Sequence, residues 1–243
     1  MKVSNKMKST LIVAHRGMSS LYPENTLVSF KKALELGVDM IELDVHRTKD
    51  KELVVIHDNS VDRTTNGKGK VDQLTLQELK KYSAGSWFSQ QFEEERIPTL
   101  GEVFELVNKK TKLQIEIKQS GIEDVLVNFV EKYDMVNNVV CSSFNLRSII
   151  KVRKLNPLIP TLFIARSFNL NKMKKVLLTE GINMVAIEFR HLSLSLLKAC
   201  HSCGFVVDAW TIDEERDMVK FLEMGVGLIT TNYPQRLKKI LGG

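Results

Sequence analysis

The stretch DMIELDVHRTKDKELVVIHD, residues 39–58, contains the clearest period in the chain. Its first half alternates apolar and polar side chains at Ile41, Glu42, Leu43, Asp44, Val45 and His46. This period of two predicts a strand, because successive side chains of a strand point to opposite faces. The carboxylates of Glu42 and Asp44 therefore share one face, where they repel each other unless a cation lies between them.

The second half of the stretch predicts a hairpin that returns to the same end of this strand. Residues 49–51 form a polar turn, and residues 53–56 form a short returning strand. We interpret residues 53–56 as an extension of the strand over residues 40–46. The return brings His57 and Asp58 beside the two carboxylates. One hairpin thus carries a candidate site for a hard metal ion and a candidate proton-transfer group.

Strands and helices alternate regularly through most of the remaining chain. Apolar runs that predict strands lie at residues 11–15, 40–46, 113–118, 139–143, 160–165, 184–189, 205–210 and 227–231. A helical pattern follows each run, and the first helix has Asn25 as its expected N-cap. Eight such units predict an α/β fold of the TIM (β/α)8 barrel type. The length of 243 residues suits one barrel domain over residues 1–243.

Residues 59–98 interrupt this alternation. They contain a turn-rich loop at 64–69 and the aromatic residues Trp87, Phe88 and Phe92, without a clean period. We expect a small insertion after the second strand that lies over the barrel mouth.

The composition is that of a globular enzyme, with 43% hydrophobic and 26% charged residues. The net charge of +6 comes from lysines scattered over the predicted helices, which is only weak support for an anionic substrate. The chain has no tract of basic residues interleaved with aromatic ones, so the sequence predicts no nucleic-acid binding. The oligomeric state stays open, a homo-oligomer included.

Features of the chain that bear on its location favour the cytoplasm. The apolar run at residues 11–14 is too short for the core of a signal peptide, and no segment approaches the length of a membrane span. Three cysteines, an odd number, fit a reducing compartment. Cys200 and Cys203 have no second pair with which to bind zinc, so we expect a reduced, partly buried pair at a helix end.

The reactive residues fall at the carboxyl ends of the predicted strands, where barrel enzymes carry their active sites. Each has a structural alternative: a strand-end histidine is often only hydrogen-bonded, Lys118 could be no more than an ion-pair partner of Glu116, and Trp210 could belong to the core. Their convergence at one mouth favours function, because so many charges are costly to bury together. The residues at this mouth are His15, Arg16, Glu42, Asp44, His57, Asp58, Glu116, Lys118, Ser142, Ser143 and Trp210.

The chemistry of these groups points to metal-assisted cleavage of a phosphate ester. Three carboxylates offer hard oxygen ligands that suit Mg²⁺ or Ca²⁺. An arginine and a lysine suit phosphate oxygens, and two histidines supply an acid and a base near neutral pH.

The chain resembles the glycerophosphodiester phosphodiesterases over nearly its whole length. The motifs that carry the resemblance are Ala14-His15-Arg16-Gly17, Pro23-Glu24-Asn25-Thr26, Ile41-Glu42-Leu43-Asp44-Val45, His57-Asp58, Arg63-Thr64-Thr65-Asn66-Gly67, Ile97-Pro98-Thr99-Leu100, Glu116-Ile117-Lys118, Ser142-Ser143-Phe144, Trp210-Thr211 and residues 229–234. The resemblance implies a barrel of the phospholipase-C-like phosphodiesterase type. The implied roles are catalysis for His15 and His57, binding of a divalent metal ion for Glu42, Asp44 and Glu116, phosphate binding for Arg16 and Lys118, and contact with the glycerol side for Trp210.

The chain departs from the family pattern in one late motif. The family usually has aspartates where this chain has Gly227 and Asn232. Neither position is among the implied metal ligands, so we expect the activity to be kept and the substrate preference near the eighth strand to be affected.

The expected reaction is hydrolysis of glycerophosphodiesters to glycerol 3-phosphate and an alcohol. Which histidine acts as the acid, and whether water or a neighbouring hydroxyl of the substrate attacks, stay open at this point. One alternative is a lysophospholipase D, which needs an apolar groove that Trp87, Phe88 and Phe92 could line. Another is an inactive barrel that binds a phosphodiester or a partner protein.

Overall fold

The computed structural model describes residues 10–242, and eight parallel strands in this range close into a barrel. The strands in chain order are β1 (Leu11–Ala14), β2 (Met40–Arg47), β3 (Leu53–Val55), β4 (Lys112–Ile117), β5 (Val139–Ser143), β6 (Thr161–Ala165), β7 (Met184–Glu188), β8 (Val206–Trp210) and β9 (Leu228–Thr231). All of them except β3 form the barrel wall. The predicted (β/α)8 barrel is confirmed.

The barrel closes at β1, which pairs with β9 on one side and with the start of β2 on the other. Only Met40 and Ile41 of β2 pair with β1. Beyond them the same edge of β2 pairs with β3, which runs antiparallel opposite Val45–Arg47. The prediction that residues 53–56 extend the second strand without forming a barrel strand is therefore confirmed.

A helix follows each barrel strand. The helices are α1 (Leu27–Leu36), α2 (Leu76–Leu79), α3 (Leu100–Val107), α4 (Glu123–Lys132), α5 (Leu146–Leu155), α6 (Leu170–Thr179), α7 (Leu194–Ser202), α8 (Glu215–Met224) and α9 (Pro234–Ile240). Cys200 lies buried in α7 and Cys203 follows its end, and neither is in a disulfide. Within residues 10–242, no helix combines the length and apolar character needed to cross a membrane.

The alternation of β2 separates two kinds of surroundings. Ile41, Leu43 and Val45 are fully buried in the apolar layer between the strands and the helices. A second apolar cluster is separate from this layer, and its buried members are Val13, Met40, Val140, Leu162, Ile164, Ala186 and Leu228. Ile164 and Ala186 line the same cavity as Glu42 and Glu116, so apolar and acidic side chains share this cavity.

The start of α1 differs from the sequence prediction. Thr26, not Asn25, is the N-cap, and its hydroxyl accepts a hydrogen bond from the backbone N–H of Ser29. Asn25 has a φ of 57°, a left-handed conformation that asparagine tolerates better than most residues. Its side chain is used elsewhere, because it donates to the Asp44 carboxylate at 2.8 Å.

Residues 59–98 pack on the outer hairpin through an apolar cluster of their own. Its buried members are Val54, Ile56, Val61, Val71, Leu79, Ala84 and Ile97. The backbone N–H of Val55 donates to the carbonyl of Pro98 at 2.8 Å, which fixes the end of this segment beside β3. The assignment of residues 1–243 to one barrel domain with an insertion over its mouth stays a proposal.

Candidate active site

Three carboxylates meet at the carboxyl end of the barrel because of the pleat of β2 and its register with β4. The pleat directs Glu42 and Asp44 to the same side, and parallel pairing places Glu116 beside Asp44. One oxygen of each carboxylate lies within 4.8 Å of the others. All three residues are buried, with exposures of 2%, 0% and 9% in the order Glu42, Asp44 and Glu116.

The pKa values of these carboxyls show the repulsion expected of the group. Burial, and then the charges of Asp44 and Glu116, raise the pKa of Glu42 well above its usual range. Burial and the charge of Asp44 raise the pKa of Glu116 to about 7. Burial also acts to raise the pKa of Asp44, but the nearby charges of Arg16 and Lys118 outweigh it and lower that pKa. Ionising all three carboxyls together is therefore unfavourable unless a cation binds among them.

Two carboxylate oxygens of the group lack hydrogen-bond partners in the described part of the chain, which indicates whether the group could bind a metal ion. Glu42 Oε1 and Asp44 Oδ1 are buried and have no hydrogen-bond partner among residues 10–242. Buried acceptors are normally paired, and a divalent cation bound by hard oxygens would satisfy both atoms and offset the repulsion. The residues present thus fit a metal ion of the Mg²⁺ or Ca²⁺ type.

Two cations lie against the same carboxylates. Arg16 Nε is 3.3 Å from Asp44 Oδ2, and Lys118 Nζ is 2.8 Å from Glu116 Oε1 and 3.6 Å from Asp44 Oδ1. Arg16 follows β1 in a tight turn: Gly17 has a φ of 83°, and a Cβ there would lie 2.8 Å from the Ser29 carbonyl carbon. The close approach of this turn to α1 holds Arg16 beside the acidic group.

His57 lies between an acidic and a basic side chain at the end of the hairpin. Its Nδ1 is 2.6 Å from Asp58 Oδ1, and its Nε2 is 3.1 Å from Lys118 Nζ. Arg63 donates from Nε to Asp58 Oδ2 at 2.7 Å, and this hydrogen bond is the main cause that lowers the pKa of Asp58. The hairpin therefore brings His57 to the carboxylates as predicted, and Asp58 orients its ring.

His15 lies just after β1, near Glu42. Its Nε2 is 4.0 Å from Glu42 Oε2, and its Nδ1 is 2.7 Å from Asn232 Oδ1. Burial, reinforced by the charge of Arg16, lowers the pKa of His15 to about 4. This ring is therefore neutral at neutral pH.

A cavity of about 470 Å³ is lined by six of these residues, which are His15, Arg16, Glu42, His57, Glu116 and Lys118. Trp210 forms part of its wall and packs edge-to-face against the exposed ring of Phe144, with centroids 5.5 Å apart. Trp210 therefore forms part of the cavity wall and also packs against a buried apolar cluster. Of the two serines predicted at the mouth, Ser143 donates to the backbone carbonyl of Ile117 and supports the strand, while Ser142 does not line this cavity.

Four residues of the site, Glu24, Asn25, Arg63 and Asn232, were given no part in the chemistry by the sequence. Glu24 accepts from Arg16 and Arg63, Asn25 donates to Asp44, and Asn232 contacts His15. All of them lie in motifs that carry the family resemblance. Motif membership was thus the available indication of a role, but not of what each side chain contacts.

Comparisons with known proteins identify the family of this chain. A family model described as the glycerophosphoryl diester phosphodiesterase family matches residues 15–236. A glycerophosphodiester phosphodiesterase of Caldanaerobacter subterraneus subsp. tengcongensis is 42% identical over 234 residues, covering 94% of this chain and 96% of the relative. A glycerophosphodiester phosphodiesterase of Bacillus subtilis is 34% identical and covers 96% of this chain and 87% of its own.

Solved structures share the architecture. A phosphodiesterase of Oleispira antarctica, in complex with the product sn-glycerol-3-phosphate, matches with a TM-score of 0.89 at 27% identity. The match covers 96% of this chain and 97% of the other. A glycerophosphodiester phosphodiesterase of Thermotoga maritima matches with a TM-score of 0.81 at 25% identity, over 95% of this chain and 98% of its own.

Proposed function

This chain belongs to the glycerophosphoryl diester phosphodiesterase family, and from that premise we propose a metal-dependent hydrolysis of glycerophosphodiesters to glycerol 3-phosphate and an alcohol. The observation that carries the proposal is the buried group of Glu42, Asp44 and Glu116, in which two oxygens have no hydrogen-bond partner among the described residues. The product complex of the Oleispira relative supports the substrate class.

The metal-binding part of the proposal assigns the ion to Glu42, Asp44 and Glu116. Three oxygen donors suit Mg²⁺ or Ca²⁺ better than zinc, which prefers nitrogen and sulfur. When bound, such an ion polarises a phosphoryl oxygen and offsets the charge that develops in the transition state.

The phosphate-binding part rests on Arg16 and Lys118. Both side chains lie at the carboxylates and line the cavity, so a phosphodiester there lies between positive charges. Donors that are already held in place stabilise the developing negative charge without reorganising at the moment of reaction. We assign these two residues to the phosphoryl oxygens.

Proton transfer falls to His15 and His57, which both line the cavity beside the acidic group. One imidazole would take the proton from the attacking oxygen and the other would protonate the leaving alkoxide. Trp210, in the cavity wall, is assigned to the glycerol side of the substrate.

The position of the aromatic residues in the 59–98 segment supports a small polar substrate over a lysophospholipid. Trp87 packs edge-to-face on Phe88, Phe88 packs on Phe92, and Phe92 packs on Tyr22. None of these four rings is among the described residues that line the catalytic cavity. The cytoplasmic location expected from the sequence stays a prediction.

Turnover of glycerophosphocholine and lysophosphatidylcholine, each in chelator and after addition of Mg²⁺ or Ca²⁺, tests the proposal. We expect metal-dependent release of glycerol 3-phosphate from the first substrate, and loss of that activity in His15→Ala and His57→Ala. Full activity in chelator would contradict metal dependence. A preference for lysophosphatidylcholine would favour the lysophospholipase D alternative, and no turnover of either would favour an inactive barrel.

A further inference from the structure

Asn232 connects His15 to a carboxylate that is not part of the acidic group. Asn232 Oδ1 is 2.7 Å from His15 Nδ1, and Asn232 Nδ2 donates to Asp213 Oδ2 at 2.7 Å. Asp213 is itself held in place, because its Oδ1 accepts from the Asn232 backbone N–H at 2.9 Å and from the Thr231 hydroxyl at 3.1 Å. The order of contacts is therefore Asp213, Asn232, His15.

The carboxylate fixes which end of the amide faces the histidine. A carboxylate only accepts hydrogen bonds, so Asp213 must take the NH₂ end of Asn232. The carbonyl oxygen of the amide is then the atom that faces His15. An amide oxygen is also only an acceptor, so His15 Nδ1 must carry its proton.

We propose that Asn232, oriented by Asp213, is a positioning residue that holds His15 in the Nδ1–H tautomer with Nε2 as a free acceptor facing the catalytic cavity. The proposal deepens the proposed function, because it rests on the role of His15 there. It also separates the two histidines. Nε2 of His57 is already occupied by Lys118 Nζ at 3.1 Å, whereas Nε2 of His15 is 4.0 Å from its nearest acidic partner, Glu42. His15 is thus the ring set to accept the proton of the attacking oxygen.

The test compares three variants of the full chain, labelled with ¹⁵N at histidine. Nitrogen chemical shifts report which ring nitrogen is protonated, and His15→Ala identifies the His15 signals among the five histidines. Asn232→Leu removes the acceptor and Asp213→Asn removes the group that orients the amide. The double swap Asp213→Asn with Asn232→Asp exchanges carboxylate and amide, and it keeps every hydrogen bond of the set.

We expect the parent and the double swap to show the Nδ1–H tautomer, and both single variants to lose it. In the single variants kcat should fall roughly tenfold to a hundredfold with little change in KM, and the swap should recover most of the loss. Thermal unfolding of each variant separates this effect from misfolding. A single variant that keeps the Nδ1–H tautomer, or a folded double swap that recovers no kcat, would overturn the inference.

The same variants separate this inference from the proposed function. If His15→Ala were as active as the parent, the catalytic role of His15 would be wrong. If His15→Ala were inactive while Asn232→Leu left both the tautomer and kcat unaltered, only the positioning role would be wrong.

Discussion

Arg63 donates two hydrogen bonds to the carboxylate of Glu24, at 2.9 and 2.8 Å, across 39 residues of sequence. Glu24 also accepts from Arg16 at 2.7 Å, and Arg63 also donates to Asp58 at 2.7 Å. Because Asp58 in turn contacts the ring of His57, this network connects the residue proposed to bind phosphate with one of the two proposed catalytic histidines. The 59–98 segment therefore takes part in ordering the site.

Replacing Arg63 should reduce catalysis more than stability. Arg63→Met leaves Glu24 and Asp58 without a shared partner, so Arg16 and His57 lose their fixed positions. We expect kcat/KM to fall about tenfold or more. The Arg63 side chain is 44% exposed, so the loss of unfolding free energy should be about 1 kcal/mol or less. Lys32→Met, which breaks an exposed pair with Glu35, is the control and should leave kcat/KM unaltered. Equal effects of the two substitutions on kcat/KM would contradict the role of Arg63.

Removing the side chain of Asn25 should weaken metal binding. Asn25→Gly keeps the left-handed backbone but deletes the hydrogen bond to Asp44, and residues that orient metal ligands typically contribute about ten- to a hundredfold in affinity. We expect Kd for Ca²⁺ or Mg²⁺, measured by calorimetry, to rise about tenfold or more. Asn108→Gly is a matched control, because Asn108 also has a positive φ but caps α3. If both variants bound metal equally well, Asn25 would have no part in the site.

Neutralising Glu42 should stabilise the metal-free protein and abolish its response to metal. Glu42→Gln removes a buried carboxyl that is costly to ionise beside two others, so we expect Tm in chelator at alkaline pH to rise by about 3 °C, which corresponds to roughly 1 kcal/mol. Saturating Ca²⁺ or Mg²⁺ should raise Tm of the parent, since a ligand that binds the native state stabilises it, but not of the variant. Thermal unfolding with and without metal measures both effects. Glu35→Gln, at an exposed carboxyl, should keep the parent's response, and the same response in Glu42→Gln would contradict the metal assignment.

Asp208 should make stability depend on pH. Its Oδ2 accepts from the Thr230 hydroxyl at 2.8 Å, and burial raises its pKa to about 7. In the unfolded chain the pKa of an aspartate is about 3.9, so the native state binds the proton more tightly. The stability that the neutral carboxyl contributes is therefore fully present below about pH 3.9, and it is lost as pH rises through 7.

Asp208→Asn keeps the shape and the acceptor for Thr230 but cannot ionise. We expect the variant and the parent to be equally stable near pH 4, and the variant to be more stable near pH 8 by an amount on the order of 3 kcal/mol. Urea unfolding in chelator at both pH values measures the difference in stability between variant and parent. The other ionisable groups of the cavity are common to both proteins, so their titration cancels in this difference. Parallel loss of stability in the two proteins would show that Asp208 does not titrate in this range.

The barrel and the positions of its charged groups follow from short-range patterns. The alternation over residues 40–46 predicted that Glu42 and Asp44 share a face. The returning segment at residues 53–56 was also correctly predicted to lie outside the barrel wall. These inferences succeed because the period of a strand fixes side-chain direction locally, whatever the rest of the chain does.

The partners of those groups were not predictable in the same way. Asn25 matched the preferences of a helix cap, yet its side chain contacts Asp44, 19 residues away, while Thr26 caps the helix. Asn232 stood out only as a departure from the family pattern, and its contact with His15 crosses 217 residues. The sequence determined which residues face the barrel mouth, since that depends on the pleat and on chain order. Only the closed barrel decided which of them touch, because the closure of β1 against β9 sets the distances between residues far apart in the chain.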